Sequence, residues 1–260
     1  MIDSHCHIDF NNPETPKLIQ RAEAAGITTM LSIACAMEDY ETLIQLLNAY
    51  PTLYGAFGIH PEYASTLPPD SEFKTMIMAH PHILAVGECG LDYHYMTEDK
   101  TAQCIAFEHQ IQLAYQLHKP LIIHTREADE DTISILNSAF SGGLLTYGGV
   151  LHCFTSTQAL ADKALEIGFY ISASGVITFK NADPIRNVFQ QVPLDRLLLE
   201  TDSPYMAPVP YRGKPNEPSY IIKTAEKLAE LKGISVSELD KITSDNFKQL
   251  FHIREVMHAS

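Results

Sequence analysis

The chain has 260 residues, 45% of them hydrophobic and 19% charged, with a formal net charge of −14 and five cysteines. Such a chain is long enough to bury a sizeable core, its composition is that of a soluble globular protein, and no apolar stretch approaches the ~20 residues that cross a bilayer. The acidity excludes coating of nucleic acid by long-range attraction, because phosphate binding depends on lysine and arginine.

Taken in chain order, short β-branched or apolar runs alternate with longer helical patterns, which is the signature of βα units around a parallel sheet. Strands are expected at 1–7, 27–34, 53–59, 83–88, 120–124, 149–153, 168–173 and 196–201. Helices are expected between them, for example over 98–118, where Cys104, Phe107, Ile111 and Ala114 recur at three- and four-residue steps. Two more follow the last strand, around 217–232 and 235–251. With no repeat, low-complexity tract or linker, the reading is a single domain over 1–260, folded as a TIM (β/α)8 barrel. The first strand begins at Ile2, leaving no room for a signal peptide, and the odd cysteine count lacks a Cys-x-x-Cys pair. The expected location is therefore cytoplasmic, with no membrane association and no evident protein partner.

Active sites of such barrels sit at the C-terminal ends of the strands, and that is where the chemistry-bearing residues fall. Strand one ends in His5 and His7, strand three in His60, strand four in Glu88 and strand five in His124. Strand six ends in His152, and strand eight in Glu200 and Asp202. Alternation points Asp3, His5 and His7 to one face. It sends Cys6, Cys89 and Cys153, each following a site-facing residue, to the helix-covered side as core fillers. Neutral imidazole and carboxylate together suit several divalent ions. The set His5, His7, Glu88, His124, His152 and Asp202 exceeds the needs of one tetrahedral ion, and two ions bridged by Glu88 would use it fully. No lysine ends the fourth or fifth strand to serve as a carbamylated bridge. Two such ions activate a shared water and stabilise the leaving oxygen, chemistry suited to phosphodiester hydrolysis. Asp202 is the candidate proton acceptor. Glu200, one layer deeper, serves a third ion, holds a ligand histidine in its tautomer, or makes a structural hydrogen bond. Asp3, deeper again, reads as structural.

Together the motifs DSHCHID (3–9), VGECGLDY (86–93), PLIIHTREA (120–128), GVLHCFTS (149–156), GFYISASGVITFKNA (168–182) and LLETDSPYMAPVPYRGKPNEP (198–218) resemble the TatD family of metal-dependent deoxyribonucleases, within the amidohydrolase-like superfamily. The resemblance covers nearly the whole chain. It implies metal ligation by His5, His7, Glu88, His124, His152 and Asp202, with Glu200 close by. It also implies hydrolysis of DNA, often from the 3′ end, with divalent magnesium, manganese or zinc. Arg126, Lys180, Arg212 and Lys214 fall in loops at the same barrel end, where they would hold phosphates. His60 either binds substrate or caps the loop fixed by Pro61, and Tyr93 and Tyr205 either stack on a base or pack. Local cations on an acidic surface favour ends and short single strands. Two alternatives stand beside this reading: a metal-dependent hydrolase of a small ester, lactone or amide, and a non-catalytic binding module stabilised by its metals.

Overall fold

The structure is a computed structural model that describes residues 1–253. Eight strands, β1 (Ile2–Cys6), β2 (Thr29–Ala34), β3 (Leu53–Phe57), β4 (Ile83–Asp92), β5 (Leu121–Arg126), β6 (Gly149–Leu151), β7 (Tyr170–Ala173) and β8 (Leu197–Leu199), form one sheet in sequence order. All neighbouring pairs are parallel. Between them run α1 (Thr15–Ala24), α2 (Tyr40–Ala49), α3 (Asp70–Met78), α4 (Lys100–Leu117), α5 (Asp129–Ser141), α6 (Gln158–Glu166) and α7 (Asp183–Gln191), with α8 (Ile221–Lys232) and α9 (Val236–Leu250) after the last strand. The ring closes through a bridge between Cys6 and Ser203, with His7 N donating to Ser203 O at 2.7 Å and Asp202 N to His5 O at 2.9 Å. This is a TIM barrel, as the strand-and-helix alternation predicts. Among the described residues no helix is long and apolar enough to cross a membrane.

Two apolar layers follow from strand alternation. Leu31, Ile33, Ala56, Ala85, Ile122, Val150 and Leu198 fill the barrel, and Phe247, Leu250 and Phe251 from the C-terminal end of the chain pack against this cluster. The outer layer, including Cys6, Phe57, Cys89, Phe107, Leu136, Phe169 and Phe189, lies between sheet and helices. Burial of this kind stabilises by roughly 25 cal/mol per Å² of apolar surface, so both layers hold the mouth of the barrel on a rigid frame.

Strand four departs from the expected 83–88, continuing to Asp92. Gly90 makes the extension possible. It stands opposite His124 in the register, and a Cβ on it would lie 2.0 Å from His124 O. Without a side chain there, β4 and β5 stay in contact for two further residues. Strand eight is shorter than expected and ends at Leu199, so Asp202, at φ 56°, is delivered by a left-handed loop rather than by strand alternation.

Candidate metal centre

Glu88 is the hub of the barrel mouth, buried to 3% exposure. Its two oxygens face different groups. Oε2 lies 3.3 Å from His5 Nε2 and 3.9 Å from His7 Nε2. Oε1 lies 2.7 Å from His152 Nε2, 2.9 Å from His124 Nδ1 and 3.5 Å from His60 Nε2. Asp202 Oδ1 completes the first group at 3.5 Å from His7 Nε2 and 3.9 Å from His5 Nε2. Ligand atoms of His5, His7 and Asp202 lie within 4.8 Å of one another, as do those of His60, Glu88 and His124.

The electrostatics of this cluster call for positive charge. Burial by itself would raise the Glu88 carboxyl, but the surrounding imidazoles of His152, His124 and His5 hold it well below its usual range. Asp202 is likewise depressed, with burial outweighed by His7, His152 and His5. Burial works against protonation of His152, yet Glu88 and Glu200 raise it well above the ordinary histidine range. Buried His5 Nδ1, His152 Nδ1 and Glu200 Oε2 have no hydrogen-bond partner. Uncompensated buried polar atoms cost free energy, and imidazole nitrogen and carboxylate oxygen are the donors that divalent metals take. The residues present therefore fit such ions.

Side chains behind this cluster hold it in place. Asp92 Oδ2 lies 3.0 Å from His124 Nε2, while Oδ1 accepts from His94 N at 2.8 Å and Tyr95 N at 3.1 Å. Two buried glutamines of α4 pin the loops carrying these groups. Gln103 pairs with the backbone of Asp92 at 2.8 and 2.9 Å, and Gln110 pairs with that of Ile59 at 2.8 and 2.9 Å. Asp3 accepts from Thr201 N at 2.9 Å and Thr201 Oγ1 at 2.6 Å, a structural tie between β1 and the loop after β8. Asn216 donates to Thr201 O and Tyr205 O, fixing the same loop. Glu200 is fully buried and deeper than Asp202, accepting from Cys153 N at 2.6 Å with His152 Nδ1 at 3.5 Å.

Other sequence candidates are placed unevenly. His60 sits in the cluster and also caps its loop, its Nδ1 accepting from Glu62 N at 3.2 Å. Arg126 lines the cavity over the centre, and Arg212 lies outside it, its guanidinium 3.8 Å above the ring of Phe179, which does line it. Lys180 and Lys214 are exposed and do not line the cavity. Tyr205 lines it, whereas Tyr93 packs elsewhere, donating to Asp131 at 2.6 Å beneath Lys100.

The three cysteines expected in the outer core divide. Cys6 and Cys89 are buried in the outer core as expected, but Cys153 lines the cavity, because its φ of 41° breaks the strand alternation that would have turned it outward. Two residues at the centre escaped the sequence reading. Cys35, one residue past β2, has Sγ 3.5 Å from Glu88 Oε2, and its signal was its position at a strand end. Asp92 shares strand parity with Glu88 and Gly90, a signal hidden by ending the strand at 88.

Barrel and centre together define a metal-dependent hydrolase of the TIM-barrel class. The chain belongs to the TatD related DNase family, which it matches over residues 2–252. It is 42% identical over 258 residues to a protein of Escherichia coli K12 named uncharacterized metal-dependent hydrolase YcfH, covering 97% of this chain and 96% of that one. It is 33% identical to a protein of Edwardsiella piscicida named 3′-5′ ssDNA/RNA exonuclease TatD, covering 92% and 94%. The crystal structure of the TatD homolog YjjV from E. coli K12 superposes with a TM-score of 0.88 at 28% identity, covering 98% of both chains.

Proposed function

We propose that the protein is a divalent-metal-dependent deoxyribonuclease that hydrolyses single strands from an end, in the cytosol, with two ions per chain. The observation that carries this reading is the division of Glu88, whose two oxygens face separate ligand groups. His5, His7 and Asp202 would hold one ion and His124 and His152 the other, with Glu88 placed to offer a carboxylate oxygen to each. Magnesium, manganese or zinc would serve. When bound, such a pair supplies an acidified water and charge opposite the leaving oxygen of a phosphodiester.

The chain's own residues do the rest. Asp202, depressed and therefore ionised at neutral pH, accepts the proton of the attacking water. Glu200 faces Nδ1 of His152 and so directs the Nε2 lone pair to the centre. His60 and Arg126 line the cavity over the centre and hold the substrate phosphate, with Arg212 near its edge. Lys180 and Lys214 attract the strand farther out. Five free cysteines accord with a reducing compartment. The Edwardsiella relative is, by its name, a 3′-5′ exonuclease of single-stranded DNA and RNA.

The test is incubation of metal-reconstituted protein with 3′-labelled and 5′-labelled single-stranded DNA, with EDTA and His124→Ala as controls. Shortening that needs metal and disappears in both controls establishes the nuclease, and the two ladders give its polarity. Intact strands under every metal refute it and turn attention to small esters, lactones and amides.

A further inference from the structure

Exposed aromatic rings are concentrated at the mouth of the barrel. Of five aromatic residues strongly exposed among the described residues, Tyr63 (39%), Tyr95 (59%) and Tyr205 (59%) line the cavity of about 1010 Å³ above the candidate metal centre. They come from three separate loops, after β3, β4 and β8. Nothing in the packing of the barrel requires three rings in water at one place, and exposed apolar patches of this kind mark binding sites.

Their surroundings specify the ligand. The Arg126 guanidinium lies 4.8 Å from the centroid of Tyr95, and that of Arg212 lies 3.8 Å from the centroid of Phe179, a fourth ring lining the cavity. A flat ring backed by a guanidinium offers one face to a nucleobase while the cation reaches a phosphate. Tyr205 stands edge-on to His7, centroids 5.9 Å apart, so a base stacked on it belongs to a nucleotide at the centre itself.

We infer that Tyr95 and Tyr205 stack on unpaired nucleobases next to the phosphate held at the centre, and that this stacking selects single-stranded ends over duplex. Bases inside a duplex have their faces already covered, so only an unpaired end offers a free face to both rings. The inference rests on the nuclease reading above and adds the residues that recognise the substrate.

The test uses metal-loaded protein and a phosphorothioate-linked oligonucleotide carrying 2-aminopurine, whose emission falls on stacking, at one end or the other. Wild-type protein is expected to quench the probe at one end and to bind the single strand more tightly than a blunt duplex. Tyr95→Ala and Tyr205→Ala should each restore emission and weaken single-strand binding by about 5- to 150-fold. Tyr95→Phe and Tyr205→Phe, which keep the ring, should behave as wild type. Natural single strands hydrolysed at the wild-type rate by the alanine variants, with the probe unquenched throughout, would overturn the stacking while leaving the nuclease intact. Wild-type protein that neither binds nor cleaves any strand would overturn both.

Discussion

Asp92→Asn isolates the hydrogen bond behind His124, one of the ligands proposed above. In the wild type a carboxylate can only accept, so His124 Nε2, 3.0 Å from Asp92 Oδ2, carries the proton. Nδ1, 2.9 Å from Glu88 Oε1, then keeps its lone pair toward the centre. In the variant the amide oxygen must remain on the His94 and Tyr95 N–H groups, since an NH2 there would leave two donors facing a donor. The amide nitrogen therefore turns to His124, which must accept on Nε2 and carry its proton on Nδ1, removing the lone pair from the centre. Loss of such a supporting partner costs about 10- to 100-fold in metal affinity, or about 1.4–2.7 kcal/mol. The side chain is nearly isosteric and the barrel should fold unchanged. Zinc affinity, measured by competition with a chromophoric chelator, and strand cleavage at limiting metal are the assays. Affinity equal to wild type, in a protein where His124→Ala loses metal, would refute the reasoning.

The same residue predicts a pH dependence in EDTA-treated protein. Burial would raise the Asp92 carboxyl, but His124 and the N–H groups of Tyr95 and His94 hold it at about 2, below its ordinary value of 3.8. A depressed carboxyl contributes stability that is full above its unfolded value and is lost as pH falls through the folded one. The gap in melting temperature between wild type and Asp92→Asn should thus close between about pH 4 and pH 2; a constant gap would contradict the assignment. Asp202→Asn should lower turnover by about 10²- to 10⁴-fold while metal analysis still finds an ion held by His5, His7 and Glu88; full metal loss would show that Asp202 is first a ligand. Gly90→Ala would set a methyl against His124 O in a backbone at φ 132°. It should cost about 2–4 kcal/mol and reduce metal content by displacing β5, and a wild-type melting curve would show that the close approach is not needed.

The architecture and the centre were legible in the sequence for one physical reason. Parallel strands buried on both sides read as apolar runs, and a barrel gathers the residue after each run at one end. His5, Glu88, His124 and His152 could be grouped from strand ends alone, and the central place of Glu88 among these histidines followed from its strand. Alternation stops being a guide where the backbone leaves the extended region. Cys153, at φ 41°, turns into the cavity, and Asp202, at φ 56°, reaches the centre from a loop. The length of β4 depended on whether the neighbouring strand could approach Gly90, a property of the pair rather than of either segment. Placement of Asp92 behind His124, of Cys35 beside Glu88 and of three tyrosines around one mouth likewise required the fold. Residues 53 and 32 positions apart along the chain meet because the strand ends share a rim. Local sequence thus determined which residue types were available to bind a metal, through periodicity and strand ends; tertiary structure decided which of them share lone pairs and protons, because hydrogen bonds depend on distances of ~3 Å that no local pattern records.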